Sequence, residues 1–398
     1  MTTKRPAPSS TSIVQEGRPR FVPGYGVPVP IVQTSTFVFR DTAELVAFFE
    51  GTHADEQRGE YGRYGNPTVN ALEGRLAALE GADEALTFSS GMAAMTTTIL
   101  ALVKAGQHVV LFRDGYRKTR DFVTKTLARF GVASTVVEPG NLHELAAAMR
   151  PETRLVIGEA PTNPYLRCAD LEAVARVVKQ TRGAKLVVDA TLASPLGFQP
   201  LAHGADLSVQ SATKYLAGHH DVLGGLVAGS RDLVSLVREL RGATGAILDP
   251  HAAFLIARGL DTLALRMERH NATGKALARA LEGHPRVLRV HHPSLLSHPD
   301  HEVAERLFAG TGGVVSFVAA DGLAGARAVC DRVKIARIGP SFGGPQTLIE
   351  PVALMSYFEQ GPEGRAALGI EEGLVRVACG LEDTEAVVGD VLAALAAS

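Results

Sequence analysis

The chain has 398 residues, 46% hydrophobic and 21% charged, a globular balance that is too long for one ordinary core, so two packed regions are expected. A formal net charge of -2 excludes the strong positive field of a nucleic-acid wrapper. The three cysteines, Cys168, Cys330 and Cys379, form no C-x-x-C pair, so neither a disulfide framework nor a zinc site is indicated, and no metal is expected.

Met1 to Arg20 is polar, rich in Pro, Ser and Arg, and lacks the apolar stretch of a signal peptide. No apolar run approaches the roughly 20 residues of a spanning helix. The reading is a soluble cytoplasmic protein with a loose N-terminal arm over residues 1–60. Val69, Leu72, Leu76 and Leu79 then recur at helical spacing, with Asn66 placed to cap and Pro67 at the first position. Ser89-Ser90-Gly91-Met92-Ala93-Ala94 is a small-residue turn opening an apolar helix, Met95–Val103. Strand-length apolar runs follow at His108–Phe112, Ser134–Val137, Arg154–Gly158, Lys185–Val188 and Leu207–Gln210, with helical stretches such as Asp170–Gln180 between them. This alternation predicts an α/β fold, a mostly parallel twisted sheet with helices on both faces, over residues 61–250. A long helix is expected after Asp249, past Leu265 toward Leu281. The rest of residues 251–398 reads as a smaller C-terminal α+β domain: strand Val314–Val318, helix Ala324–Val333, a Gly/Pro-rich loop from Ile338 to Pro351, strand Leu374–Ala378 and a last helix, Thr384–Ala396.

Open α/β sheets bind ligands at the carboxyl ends of their strands. Glu159 ends one strand and leads into Pro161-Thr162-Asn163-Pro164; Asp189 ends the next; Lys214 follows a third in Ser211-Ala212-Thr213-Lys214. A carboxylate, an amide and a lysine thus leave neighbouring strand ends, the set that a pyridoxal-phosphate (PLP) site needs. The lysine forms the imine, the carboxylate keeps the pyridine nitrogen protonated, and donors hold the ring oxygen and phosphate. The turn at Ser90-Gly91-Met92 offers free backbone N–H groups at a helix N-terminus, suited to a phosphate, and Ser211 and Thr213 add hydroxyls. Taken singly, each residue is ordinary: a lysine after a strand is usually solvated, Asp189 alone could cap a helix, and Tyr61 and Arg63 alone would be surface residues. Their order and spacing carry the argument.

Five segments, Tyr61-Gly62-Arg63-Tyr64-Gly65-Asn66-Pro67-Thr68, Ser90-Gly91-Met92-Ala93, Pro161-Thr162-Asn163-Pro164, Ser211-Ala212-Thr213-Lys214-Tyr215 and Gly373-Leu374-Val375-Arg376, resemble the Cys/Met-metabolism PLP family from about Gly24 to the C-terminus. The resemblance implies the aspartate-aminotransferase-like PLP-dependent transferase fold (fold type I), a PLP cofactor, amino-acid substrates, and a homotetramer built from two catalytic dimers. It implies that Lys214 is the Schiff-base lysine and proton shuttle, that Asp189 partners the pyridine nitrogen, and that Tyr116 stacks on the ring. Ser90, Gly91, Met92, Ser211 and Thr213 fall on the cofactor side, with Tyr61 and Arg63 reaching the phosphate of the neighbouring subunit. Asn163, Ser341 and Arg376 resemble the clamp on the substrate carboxylate, a task that suits a bidentate arginine.

Within the family, the string Tyr116-Arg117-Lys118-Thr119-Arg120 resembles plant-type cystathionine γ-synthases, where many bacterial relatives have Tyr-Gly-Gly-Thr. The implied reaction is γ-replacement on an O-phosphoryl, O-succinyl or O-acetyl homoserine by cysteine, giving cystathionine, with Lys118 and Arg120 holding an anionic leaving group. A solvated helix face is the plain alternative for that string. The chain departs from its relatives at Asp189-Ala190-Thr191-Leu192, where they often have Asp-Asn-Thr-Phe or Asp-Gly-Thr-Phe, and at Gln346-Thr347, where they often have Glu-Ser. The sequence is also compatible with a γ-replacement enzyme using another nucleophile, a γ- or β-lyase, and a non-catalytic binding module with this fold.

Overall fold

The structure is a computed structural model that describes residues 8–19, 22, 26–52 and 59–397. The suggested start of the family resemblance, Gly24, lies outside the described residues, as does part of the Met1–Arg20 segment.

The helix Pro67–Glu80 forms where expected. The Asn66 side chain accepts the Thr68 N–H at 3.0 Å, and Leu72, Leu76 and Leu79 are buried on its inner side. Gly81 ends it at φ 66°, a left-handed cap that costs glycine nothing.

Seven strands form the large sheet: β1 Glu84–Phe88, β2 His108–Phe112, β3 Ala133–Val137, β4 Thr153–Glu159, β5 Lys185–Asp189, β6 Leu207–Gln210 and β7 Gly225–Gly229. Their order is β1-β7-β6-β5-β4-β2-β3. Strands β2 to β6 run parallel, while β7 lies antiparallel between β1 and β6. Alternate residues feed opposite cores: Val109, Leu155 and Val187 pack on one face, and Val110, Val156, Leu186 and Val188 on the other. Burial on both faces explains why these strands read as continuous apolar runs.

The five anticipated strands of this sheet are present within a residue or two. Strands β1 and β7 were not anticipated. The first has only one β-branched residue, and the second is bounded by glycines, so neither carries a strong local signal. Gly225 is needed there, because a Cβ would sit 2.2 Å from the carbonyl oxygen of Ser90. Strand β7 can therefore pass directly under the turn that opens the helix Gly91–Leu102.

The long helix expected after Asp249 is broken into Pro250–Leu260 and Leu263–Leu281. At the break the Asp261 carboxylate pairs with Arg75 at 2.8 Å and with Arg18, and the Arg266 guanidinium takes the carbonyl of Gly259 at 2.5 Å. Arg75 and Arg18 are distant in sequence, so local periodicity does not reveal the break.

The small sheet comprises β8 Val287–His291, β9 Val314–Ala319, β10 Arg337–Ile338, β11 Leu348–Pro351 and β12 Leu374–Ala378, in the order β10-β11-β12-β9-β8. Strand β8 was not anticipated, and both ends of the expected Ile338–Pro351 loop are strand, paired parallel as β10 and β11. The helices Leu263–Leu281, Gly322–Arg332 and Thr384–Ala396 contribute to the core over this sheet. The expected looseness of the N-terminal arm also needs correction. Helix Ser10–Gln15 buries Ile13 against Val69, Leu72 and Leu76, and Arg75 donates to the Ile13 carbonyl at 3.3 Å.

Candidate active site

The carboxyl ends of β4, β5 and β6 open onto a cavity of about 430 Å³. It is lined by Ser90, Gly91, Met92, Tyr116, Asn163, Asp189, Ser211, Thr213, Lys214, Ser341 and Arg376, together with Met95, Thr119, Glu159, Thr191, Leu223, Pro340, Phe342 and Ser356. Most residues selected from the sequence therefore meet in one place, from segments almost 290 positions apart. The volume suits a small ligand with a phosphate.

Lys214 points its amine at the Ser341 hydroxyl, 2.6 Å away, and lies 5.1 Å from the centre of the Phe342 ring. Burial lowers its pKa to about 8; the Arg376 charge adds to this and Glu350 opposes it. A substantial fraction is thus neutral near physiological pH, which a nucleophilic and proton-moving amine requires. The loop bearing Ser341 is pressed onto the lysine backbone. At Gly343, with φ 86°, a Cβ would stand 2.7 Å from the Tyr215 nitrogen. Ser341 itself has φ 93°, an uncommon conformation for a residue with a side chain and one that costs about 1–3 kcal/mol. That strain lets one residue face two ways: its hydroxyl accepts from Lys214 and its carbonyl accepts from Arg376 at 3.2 Å.

Asp189 is held by Thr191, whose N–H and hydroxyl both donate to Oδ1, at 3.0 and 2.5 Å. Among the described residues Oδ2 has no hydrogen-bond partner, so one carboxylate oxygen remains for a pyridinium N–H. Burial raises the pKa of Asp189, with the Thr191 hydrogen bonds opposing the rise. Beside it, Glu159 is pushed well above the usual carboxylate range by burial and by the Asp189 charge, while it accepts the Tyr116 N–H at 2.6 Å. Glu159 therefore anchors the backbone of the aromatic residue at the cavity mouth, where Tyr116 is 46% exposed.

At the helix end of the cavity the small-residue turn opens a helix as anticipated. Ser90 caps the helix Gly91–Leu102 by accepting the Ala93 N–H at 3.0 Å, leaving the Gly91 and Met92 amides at the helix head. A Cβ on Gly91 would come within 2.8 Å of the Ser211 Cβ, so glycine is what permits turn and lysine loop to converge. The Thr213 hydroxyl donates to the Gly224 carbonyl at 3.1 Å and must turn to serve a phosphate. Taken together, the free Asp189 oxygen, the glycine-lined helix head and the depressed lysine fit PLP.

Arg376, on β12, donates to Asn163 Oδ1 at 3.1 Å and pairs with Glu350 on β11 at 3.1 Å. Its Nε is buried with no hydrogen-bond partner among the described residues. The departures at Ala190 and Leu192 lie in the core, and Thr347 is bound to Glu382 at 2.8 and 2.7 Å, so none of the three lines the cavity.

Four selected residues stand outside the cavity. Tyr61 is exposed and Arg63 half-buried beside it, with the Arg63 guanidinium 4.8 Å from the Tyr64 ring and donating to the Gly242 carbonyl at 2.7 Å. Lys118 is half-exposed, 4.0 Å from Glu359. Arg120 lines a small recess beside the cavity with Tyr116, Thr119, Glu159 and Asp189, and donates to the Arg113 carbonyl at 2.5 Å. Conversely, Thr191, Glu350 and Ser356 belong to the site and were not selected. Thr191 was recognisable two residues after Asp189, whereas Glu350 becomes visible only through the pairing of β11 with β12.

Fold and site together define a PLP-dependent enzyme of fold type I. The family model for Cys/Met metabolism PLP-dependent enzymes matches residues 10–396, and the chain belongs to that family; its cofactor is pyridoxal phosphate. The chain is 45% identical over 372 residues to cystathionine γ-synthase 1, chloroplastic, of Arabidopsis thaliana, covering 93% of this chain and 65% of that protein. It is 40% identical over 372 residues to the L-methionine γ-lyase of Pseudomonas putida, covering 93% and 92%. The crystal structure of metB from Corynebacterium glutamicum superposes with a TM-score of 0.90 at 37% identity, covering 97% of both chains.

Proposed function

We propose that this enzyme catalyses γ-replacement on an O-activated homoserine, with cysteine as the nucleophile and cystathionine as the product. The observation that carries the reading is the bridge through Ser341, which links the Lys214 amine at 2.6 Å to Arg376 at 3.2 Å. An amino acid held by its carboxylate at Arg376 and Asn163 presents its Cα and Cβ protons to one positioned, partly neutral amine.

When bound, PLP supplies the electron sink that acidifies those protons. Lys214 holds and then moves them, Asp189 keeps the ring nitrogen charged, Tyr116 covers the ring, and Gly91, Met92, Ser211 and Thr213 hold the phosphate. Arg120 is the candidate for an anionic leaving group, reaching it from the recess beside Tyr116. Similarity to a plant synthase supports replacement, and similarity to a methionine γ-lyase supports elimination as the second reading.

The working assembly is a dimer of dimers in the cytoplasm, in which Tyr61 and Arg63 complete the phosphate site of a neighbouring subunit. The exposed rings of Tyr61 and Tyr64, beside the half-buried Arg63 and outside this chain's own cavity, support this. The purified enzyme, assayed with O-phospho-, O-succinyl- and O-acetylhomoserine with and without cysteine, is expected to form cystathionine as the main product. Cysteine-independent release of a keto acid and ammonia as the main outcome would replace the proposal with a lyase.

A further inference from the structure

Arg376 and Glu350 are direct partners across the antiparallel pairing of β11 and β12. Both are buried, at 5% and 1% exposure, and their ion pair spans 3.1 Å. Among the described residues Glu350 is the one carboxylate paired with Arg376, whose other contacts, Asn163 Oδ1 and the Ser341 carbonyl, are neutral. The Ser356 hydroxyl stands 3.0 Å from each Glu350 oxygen and also lines the cavity.

We infer that Glu350, steadied by Ser356, is a positioning residue that sets the Arg376 guanidinium for the substrate carboxylate. The inference rests on reading Arg376 as the carboxylate clamp. A buried guanidinium with no countercharge is strongly disfavoured and seeks water or another anion. Here a second cation, Lys214, shares the cavity and discourages Arg376 from turning further inward. Glu350 holds the Nη2 corner while Asn163 holds Nη1, so the planar group has one orientation. The buried, unpartnered Nε–H then remains as a donor for an incoming carboxylate. Ser356 fixes the carboxylate that does the holding, so cavity wall and countercharge are mechanically linked.

The test measures carboxylate preference at equilibrium, independent of turnover. Holoenzyme is titrated with L-2-aminobutyrate and with propylamine, which lacks only the carboxylate, and binding is followed by the cofactor absorbance. The ratio of the two Kd values reports the clamp. Glu350→Gln, which keeps the volume and loses the charge, should lower that ratio about tenfold, the scale of one charge-assisted contact. Ser356→Ala should lower it by a smaller factor, about threefold. Propylamine affinity should stay within about twofold of the parent in both variants. An unchanged ratio in both variants overturns the inference, as does an equal loss for amine and amino acid. A parent enzyme with no carboxylate preference would remove the Arg376 clamp itself, and this inference with it.

Discussion

Glu80 offers a test of how the lysine strand is supported. It ends the helix Pro67–Glu80, is 1% exposed, and accepts from the Gln210 side chain, with the hydroxyl of Ser208 facing it. Both partners lie on β6, the strand that leads into Lys214. Burial raises the Glu80 pKa from 4.5 to about 7, with Ser208 and Gln210 opposing the rise. A carboxyl with a raised folded-state pKa contributes its stability below the unfolded value and loses it as pH rises through the folded value. Stability should therefore fall between about pH 4.5 and pH 7, as the unfolded chain releases a proton that the folded one retains. The full shift corresponds to about 3 kcal/mol, of which about 2 kcal/mol falls between about pH 5.5 and about pH 8.5. Glu80→Gln has no proton to lose, and its amide oxygen can still accept from Gln210. Denaturant unfolding of both PLP-saturated proteins across that range should show the variant gaining about 2 kcal/mol relative to the parent, with effects of the shared cofactor cancelling. Parallel pH profiles would show that the carboxyl is already ionised in the folded protein and refute the argument.

Borohydride reduction of the holoenzyme should place the pyridoxyl group on Lys214 by peptide mapping, and capture of PLP by apoenzyme should rise with pH around a midpoint near 8, because the neutral amine reacts; a label on another lysine would overturn the site. Arg120→Met should reduce kcat/KM about tenfold or more on phospho- or succinylhomoserine and little on acetylhomoserine, while Lys118→Met has a small effect on all three; equal losses across substrates would assign Arg120 to structure alone. Arg63→Ala should weaken PLP retention about tenfold or more, measured by dialysis with light scattering on the same samples; a parent enzyme fully active as a monomer would defeat the trans contribution.

The local pattern by itself determined a good deal. Strands buried on both faces of a parallel sheet read as near-continuous apolar runs, so β2, β4 and β5 were legible, while edge strand β3 and the short Leu-Ser-Val-Gln of β6 were legible from their length and spacing; with them came the strand ends that carry Glu159, Asp189 and Lys214. The small-residue turn at Ser90-Gly91 was legible because a helix head has few cheap ways to bind an anion. What remained hidden depended on partners distant in sequence. Strands β1 and β7 acquire their pairing only from each other and from β6. The helix break at Asp261 depends on Arg75, 186 positions away. Glu350 and Arg376 meet because β11 and β12 are in register, and Lys118 and Arg120 part company because residues two apart on one helix lie on nearly opposite faces. Local periodicity specifies which segments are helix or strand; only the packed chain decides which buried charges become partners.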